Sequence, residues 1–235
     1  MKKQRLLYYV IAFAITLEVS TCLTSCSNDD TPTPEEQAKY GQPEPVDLGL
    51  SVKWANMNVG ANLPHESGSY FAWGETSQKA TYDWKTYKFL DNGIFEHLTK
   101  YCSMSSQGKV DGKMILEAED DAAHVIWGGE WRMPTRMEME ELCKRCRWET
   151  TTVSGVKGIR VTGPSGKSIF LPAAGYRVDG GHRDNDEQYY GTYWTSSVAL
   201  DNSNNAYSSY FYTNYFVLTD DDVRRIGKTI RPVCE

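Results

Sequence analysis

The chain carries 25 Lys and Arg against 31 Asp and Glu, net −6, and past its first residues the basic side chains form no extended patch. That balance excludes the electrostatic footprint of a nucleic-acid binder and of a domain held to anionic lipid by charge. Histidine is scarce. His65, His97, His124 and His182 lie far apart and read as structural or solvated groups. There is no His-Glu-x-x-His and no Gly-x-Ser-x-Gly, so neither a zinc-peptidase helix nor a nucleophile elbow is present. Glu119-Asp120-Asp121 suits the start of a helix better than a pair of catalytic carboxylates. A hydrolase built from distant carboxylates stays the weakest of three readings. Cys143 and Cys146 form a lone Cys-x-x-Cys without the second pair that a structural zinc wants. They fall at the end of a helical stretch, where no dipole lowers a thiol pKa, so redox chemistry is disfavoured as well. A bilayer-spanning run is missing too, because residues 6–17 are apolar but short.

That short run does have a use. Lys2, Lys3 and Arg5 precede it, and Leu23-Thr24-Ser25-Cys26 follows. The pattern resembles a bacterial lipoprotein signal peptide over residues 1–25, cleaved before Cys26, which would carry the lipid. Several acyl chains on one cysteine make a firm membrane anchor, at about 0.8 kcal/mol per buried CH₂. Ser27-Asn28-Asp29-Asp30 resembles sorting signals for the outer membrane and the cell surface. Residues 26–45 then form a Pro- and Glu-rich spacer that cannot bury enough surface to order itself. Exported cysteines favour disulfides, which makes Cys102, Cys143, Cys146 and Cys234 candidates for pairing.

Residues 46–235 are long enough for one well-buried domain. Alternation over residues 46–59 predicts a strand pair around Gly49 with Trp54 as an anchor, and residues 69–75 predict another short strand. Residues 76–112 lack a period and read as a loop-rich excursion. Two helices follow. One covers residues 117–127 and stops at Gly128-Gly129; the other begins at Thr135, with Glu138 completing a capping box. From Trp148 the chain returns to β, with a hairpin of residues 156–162 and 167–171 and further strands near 192–198, 205–213 and 228–233. The order of elements is α+β.

Seven of the fifteen tyrosines lie between Tyr189 and Tyr215, mixed with Ser, Asn and Asp. Such a mixture suits a recognition surface, since Tyr gives broad amphipathic contact at low rotamer cost and Ser and Asn adapt their hydrogen bonds. An ordinary half-buried sheet would also favour Tyr and Thr. The candidate ligand-binding residues are Tyr189, Tyr190, Tyr193, Asn202, Asn204, Asn205, Tyr210, Tyr212, Asn214 and Tyr215. Asp220-Asp221-Asp222 reads as a solvated acidic turn, with calcium an unsupported alternative and no other cofactor implied.

Several phrases occur together in order: Val46-Asp-Leu-Gly-Leu-Ser-Val-Lys-Trp-Ala, Phe71-Ala-Trp-Gly-Glu75, Asp120-Asp-Ala-Ala123, Trp131-Arg-Met-Pro-Thr135, Ile169-Phe-Leu-Pro-Ala-Ala-Gly-Tyr176, Tyr193-Trp-Thr-Ser196 and Ile230-Arg-Pro-Val233. They resemble the Fibrobacter-type "major paralogous domain" of Bacteroidota surface lipoproteins. The resemblance implies a C-type-lectin-like fold whose loop-rich face near the C-terminal strands meets partners. It implies a helix tied to the last strand, Cys234 to Cys143 or Cys146. It also implies that Ser209 and Phe211 occupy core positions, leaving the Tyr210 face to solvent, joined by Tyr193, with Trp194 buried. The Glu-Pro-Asn, Gln-Pro-Asp and Trp-Asn-Asp triplets of calcium-dependent sugar binders are absent. The segment from Asn202 to Tyr215 further resembles the variable region of lectin-like targets of diversity-generating retroelements. The leading expectation is an adhesin-like binding module for a glycan or protein. A subunit or accessory component of a pilus or envelope assembly comes second.

Overall fold

The computed structural model describes residues 41–94, 97–183, 190–212 and 215–235, with the backbone alone for 215–218. Residues 1–25, Cys26, most of the spacer, Tyr189 and Asn214 lie outside the described residues, as does the Tyr215 side chain. The described residues belong to one compact unit, and the fold is α+β, with two helices and several short antiparallel sheets.

The first strand pair is shorter than alternation predicted. β1 (Pro45–Val46) meets β2 (Lys53–Ala55), with Val46 opposite Trp54, and Gly49 makes the turn at φ +76°. Residues 69–75 do not form the expected strand. Tyr70, Phe71, Ala72 and Trp73 are all buried, Phe71 alone makes a bridge, to Lys228, and Gly74 at φ +78° ends the extended run. A segment buried on every side shows no period of two, and its amides reach Lys228 and Arg224 individually instead. The excursion over 76–112 is loop-rich as expected, with two 3₁₀ turns at Trp84–Thr86 and Asp91–Gly93.

The first helix starts later than its acidic residues suggested. Ala118–Asp120 is a 3₁₀ turn, and α1 (Ala122–Trp127) begins where the Asp121 carboxylate accepts from Ala123 N and His124 N. Gly128 at φ +68° ends it. Helix α2 (Arg136–Arg145) has the capping box its sequence spelled: Glu138 N donates to Thr135 Oγ1, and Thr135 N donates to Glu138 Oε2. Met139 and Leu142 are buried and Met137 is 80% exposed, so one stripe faces inward. Thr135→Ala is expected to cost about 1 kcal/mol in urea unfolding. Burial pushes the Glu138 carboxyl up, but the paired Arg132 and the Thr135 amide outweigh it and hold the group below its ordinary 4.5. A lowered folded pKa means the contribution is complete above about 4.5 and is lost as pH falls through the lowered value. Glu138→Gln therefore flattens the acid-unfolding profile in that window.

β3 (Arg147–Val153), β4 (Val156–Thr162) and β5 (Ser168–Pro172) form one antiparallel sheet. β6 (Tyr176–Val178) and β7 (Gly181–Arg183) form a small hairpin. The sheet that matters most has the order β10-β9-β8, built from β8 (Gly191–Val198), β9 (Asn205–Tyr212) and β10 (Tyr215–Val223). Of the expected last strand over 228–233 only Val233 is strand, in β11 (Val233–Cys234) against β2.

The β8–β10 sheet separates two apolar cores. Trp194, Val198 and Ala206 face a cluster with Phe71, Trp73, Tyr82 and Tyr101. Tyr193 and Phe211 face a cluster with Trp54, Met139, Leu142 and Ile159. Side chains alternate across a strand, so β8 contributes to both cores, while Tyr210 and Tyr212 at the Gly191 end of the sheet are half-buried. Gly191 lets the Phe211 ring pack directly on the backbone there, since a Cβ would lie 2.2 Å from that ring.

Candidate functional site

The Gly191 end brings together four half-buried tyrosines, three from this sheet's margin and one from the neighbouring hairpin. Tyr190 precedes β8 by one residue, and its side shares the face of Thr192, which pairs with Tyr210 across the strands. Tyr212 follows Tyr210 on that face. Gly175 N donates to Tyr190 O at 2.7 Å, which draws the β6–β7 hairpin alongside and adds Tyr176. The Tyr190 ring is central, with centroids 4.9 Å from Tyr212, 5.8 Å from Tyr210 and 5.9 Å from Tyr176. Their planes meet Tyr190 at 45°, 41° and 79°, and Tyr210 meets Tyr212 at 85°. Burial, chiefly, pushes the Tyr190 phenol well above its usual range; the Thr192 hydroxyl acts the other way and the Asp222 carboxylate adds to the rise. The phenol is neutral at physiological pH. Beneath the rings, the wholly buried Thr192 Oγ1 lacks a well-formed hydrogen bond.

Asp220, Asp221 and Asp222 lie in β10, not in a solvated turn. Alternation divides them. Asp220 and Asp222 oppose Ser208 and Ala206 on the tyrosine face, while Asp221 opposes Tyr207 on the other and accepts from Asn205 Nδ2 at 2.7 Å. Three carboxylates split over two faces do not converge on one ion, which removes the basis for calcium there. Asp222 instead holds Lys228, whose ammonium is 1% exposed and reaches Asp222 Oδ2 and Ser208 Oγ, each at 2.7 Å, 4.3 Å from the Trp194 ring centre. Burial lowers the Lys228 pKa, with Asp222 opposing the shift.

The expected site residues separate accordingly. Tyr190, Tyr210 and Tyr212 come together. Tyr193 does not join them: it pairs with Ser209 on the opposite face, is 2% exposed, donates to Pro172 O at 2.7 Å and stacks on Phe211. Trp194 is buried as expected. Asn204 is 3% exposed and Asn202 accepts from Gln107 Nε2 at 2.7 Å. With Ser203 bonded to Ser103, this loop is fastened to residues 103–107 and is not a free recognition loop. Asn205 is held by Asp221. Tyr176 is the residue that local reading missed, because its neighbours in the cluster are strands away.

The cysteines are also placed differently. Cys102, Cys143, Cys146 and Cys234 are all free thiols. The expected tie between Cys234 and Cys143 or Cys146 is not formed: Cys143 Sγ sits 3.7 Å from Ser209 Oγ, and Cys102 belongs to the other core and donates to Met104 O. Burial pushes the Cys143 and Cys146 thiols up to about 11. Both are protonated at neutral pH, so neither stands ready as a thiolate nucleophile.

Two other places offer chemistry. Glu117, Glu119 and Asp120 bring carboxylate oxygens within 4.8 Å of one another, but the Lys100 ammonium already lies 2.6, 3.0 and 2.5 Å from them. A cavity of about 300 Å³ is lined by Leu116, Asp121, His124, Arg132, Met133 and Ser196. Its charged groups are engaged, Asp121 by three backbone amides and Arg132 by Glu138. Among the described residues no helix is long and apolar enough to cross a membrane. Compared with family models, with curated proteins and with solved structures, the chain matched none.

Proposed function

We propose that this chain is a non-catalytic recognition module, anchored to the outer membrane through Cys26, whose single C-type-lectin-like domain over residues 46–235 binds a glycan or a protein at the cell surface. The observation that carries the reading is the cluster of Tyr176, Tyr190, Tyr210 and Tyr212, four half-buried rings in mutual contact at the Gly191 end of the β8–β10 sheet. Contiguous aromatic surface left partly open to solvent is a common feature of interaction sites. The signal-like residues 1–25 and the spacer support the anchoring, and the two helices, short antiparallel sheets and loop-rich 76–112 support the lectin-like fold. Cores at both faces make the site rigid, which limits the entropy lost on binding.

A glycan array and a surface-protein pull-down with the full-length chain test this. A ligand found by either is expected to bind at least about tenfold more weakly to the Tyr190→Ala/Tyr212→Ala variant, a loss of about 1.4 kcal/mol or more, with an unchanged circular dichroism spectrum. Unchanged affinity in the folded variant removes the assignment.

A further inference from the structure

We infer that the cavity of about 300 Å³ beside α1, the start of α2 and β8 is a second binding site, for a small neutral ligand that carries a hydroxyl on an apolar body. The inference goes beyond the recognition reading and does not rest on the tyrosine cluster. The volume lies at the lower end of the about 300–1,000 Å³ that small-molecule sites occupy. Ile115, Leu116, Ala118 and Met133 supply aliphatic and thioether surface to its lining. Leu116 and Met133 are buried, whereas Ile115 and Ala118 are exposed and mark the side on which the cavity opens.

Charge decides the class of ligand. Both oxygens of the Asp121 carboxylate are taken, Oδ1 by Ala123 N and His124 N at 2.9 and 3.1 Å and Oδ2 by Met133 N at 2.8 Å. The Arg132 guanidinium closes its fork on the two Glu138 oxygens at 2.8 and 2.7 Å. An entering ion of either sign would give up its hydration to meet groups already paired, and that is costly. Two neutral acceptors remain on the lining. His124 Nδ1 lies 3.3 Å from Trp131 O. A carbonyl only accepts, so Nδ1 carries the proton, and in the neutral ring Nε2 is an acceptor. Among the described residues nothing bonds to that Nε2. The buried Ser196 hydroxyl donates to Pro134 O at 3.3 Å, which leaves its lone pairs to accept. Acceptors without a donor suit a ligand that brings one, and a neutral donor on an apolar body is an alcohol or a phenol. A sugar would strand most of its hydroxyls against the aliphatic lining.

The test titrates the full-length chain by fluorine NMR with 4-fluorophenol, fluorobenzene, 4-fluorobenzoate and 4-fluorobenzylammonium. The phenol is expected to bind saturably. Fluorobenzene, which lacks the donor, should bind about tenfold more weakly, and the two ions more weakly still. His124→Phe keeps a ring but removes the acceptor, so it should weaken the phenol about tenfold and leave fluorobenzene unchanged. Ala118→Trp, at an exposed position on the lip, should block both without changing the circular dichroism spectrum. Fluorobenzene binding as tightly as the phenol overturns the hydroxyl assignment, and equal binding of either ion overturns the neutral class. Phenol binding that ignores both variants overturns the site, as does the absence of saturable binding. None of these outcomes bears on the recognition reading, which the tyrosine variants test.

Discussion

Arg231→Ala is expected to lose about 3–5 kcal/mol of stability, because it takes one shared donor away from three buried acceptors. The Arg231 guanidinium is wholly buried and donates to Asn58 Oδ1 at 2.8 Å, to Ala55 O at 3.2 Å and to Phe170 O at 2.8 Å. One planar fork thus joins β2, the loop after it and β5. Burial lowers its pKa to about 10, still far enough above neutrality for the group to stay charged. Removing it leaves a cavity and strands those acceptors, each worth about 1–3 kcal/mol when unsatisfied. Arg231→Lys keeps the charge but cannot span the three acceptors, so it should recover only part of the loss. Urea unfolding of the full-length chain measures both. A cost under about 1 kcal/mol for Arg231→Ala would mean the fork is not what fastens these elements. Typical stabilities of about 5–15 kcal/mol leave little margin for such a loss.

The second large effect contrasts Asp222→Asn with Lys228→Met. Removing the carboxylate leaves a buried ammonium with Ser208 as its main partner, and breaking one side of a buried pair costs about 3–5 kcal/mol. Asp222 is 35% exposed at its side chain, so solvent offsets part of that and about 2 kcal/mol is expected. Lys228→Met removes the buried charge itself and should be close to neutral. The pH dependence has a definite sign. Burial depresses the folded pKa of Lys228 below its ordinary 10.5, so between the two values the unfolded chain binds more protons and stability rises with pH. The penalty is complete below the depressed value. Asp222→Asn, which removes the group opposing the shift, should therefore regain stability as pH is raised toward 10.5. A deficit in that variant that stays constant across the range would contradict the linkage.

Local chemistry is legible in the sequence and long-range chemistry is not. The Thr135 and Glu138 capping box and the hairpin tip at residues 163–166 depend on neighbours three or four positions away, and both form as their residues imply. The differences share a cause. Strand β8 is buried on both faces, so a period of two marks the faces without saying which one meets solvent. The polar phenol of Tyr193 suggests an outward position, but Pro172 O satisfies that phenol inside the core. Three consecutive aspartates suggest a turn until Asn205 and Lys228 supply partners from elsewhere in the chain. Asn202 and Asn204 suggest an open loop until Gln107 and Ser103 fasten it. Within the binding face, composition alone marks Tyr190, Tyr210 and Tyr212, whereas Tyr176 needs the Gly175–Gly191 approach that only the fold reveals.

The most direct test is to label the full-length chain with 3-fluorotyrosine, assign the fluorine resonances by single Tyr→Phe variants, and titrate the ligand captured in the pull-down. The resonances of Tyr176, Tyr190, Tyr210 and Tyr212 should shift together along one binding isotherm, while those of the buried Tyr101 and Tyr193 stay fixed. Saturable binding that leaves the four surface resonances unmoved would contradict the account.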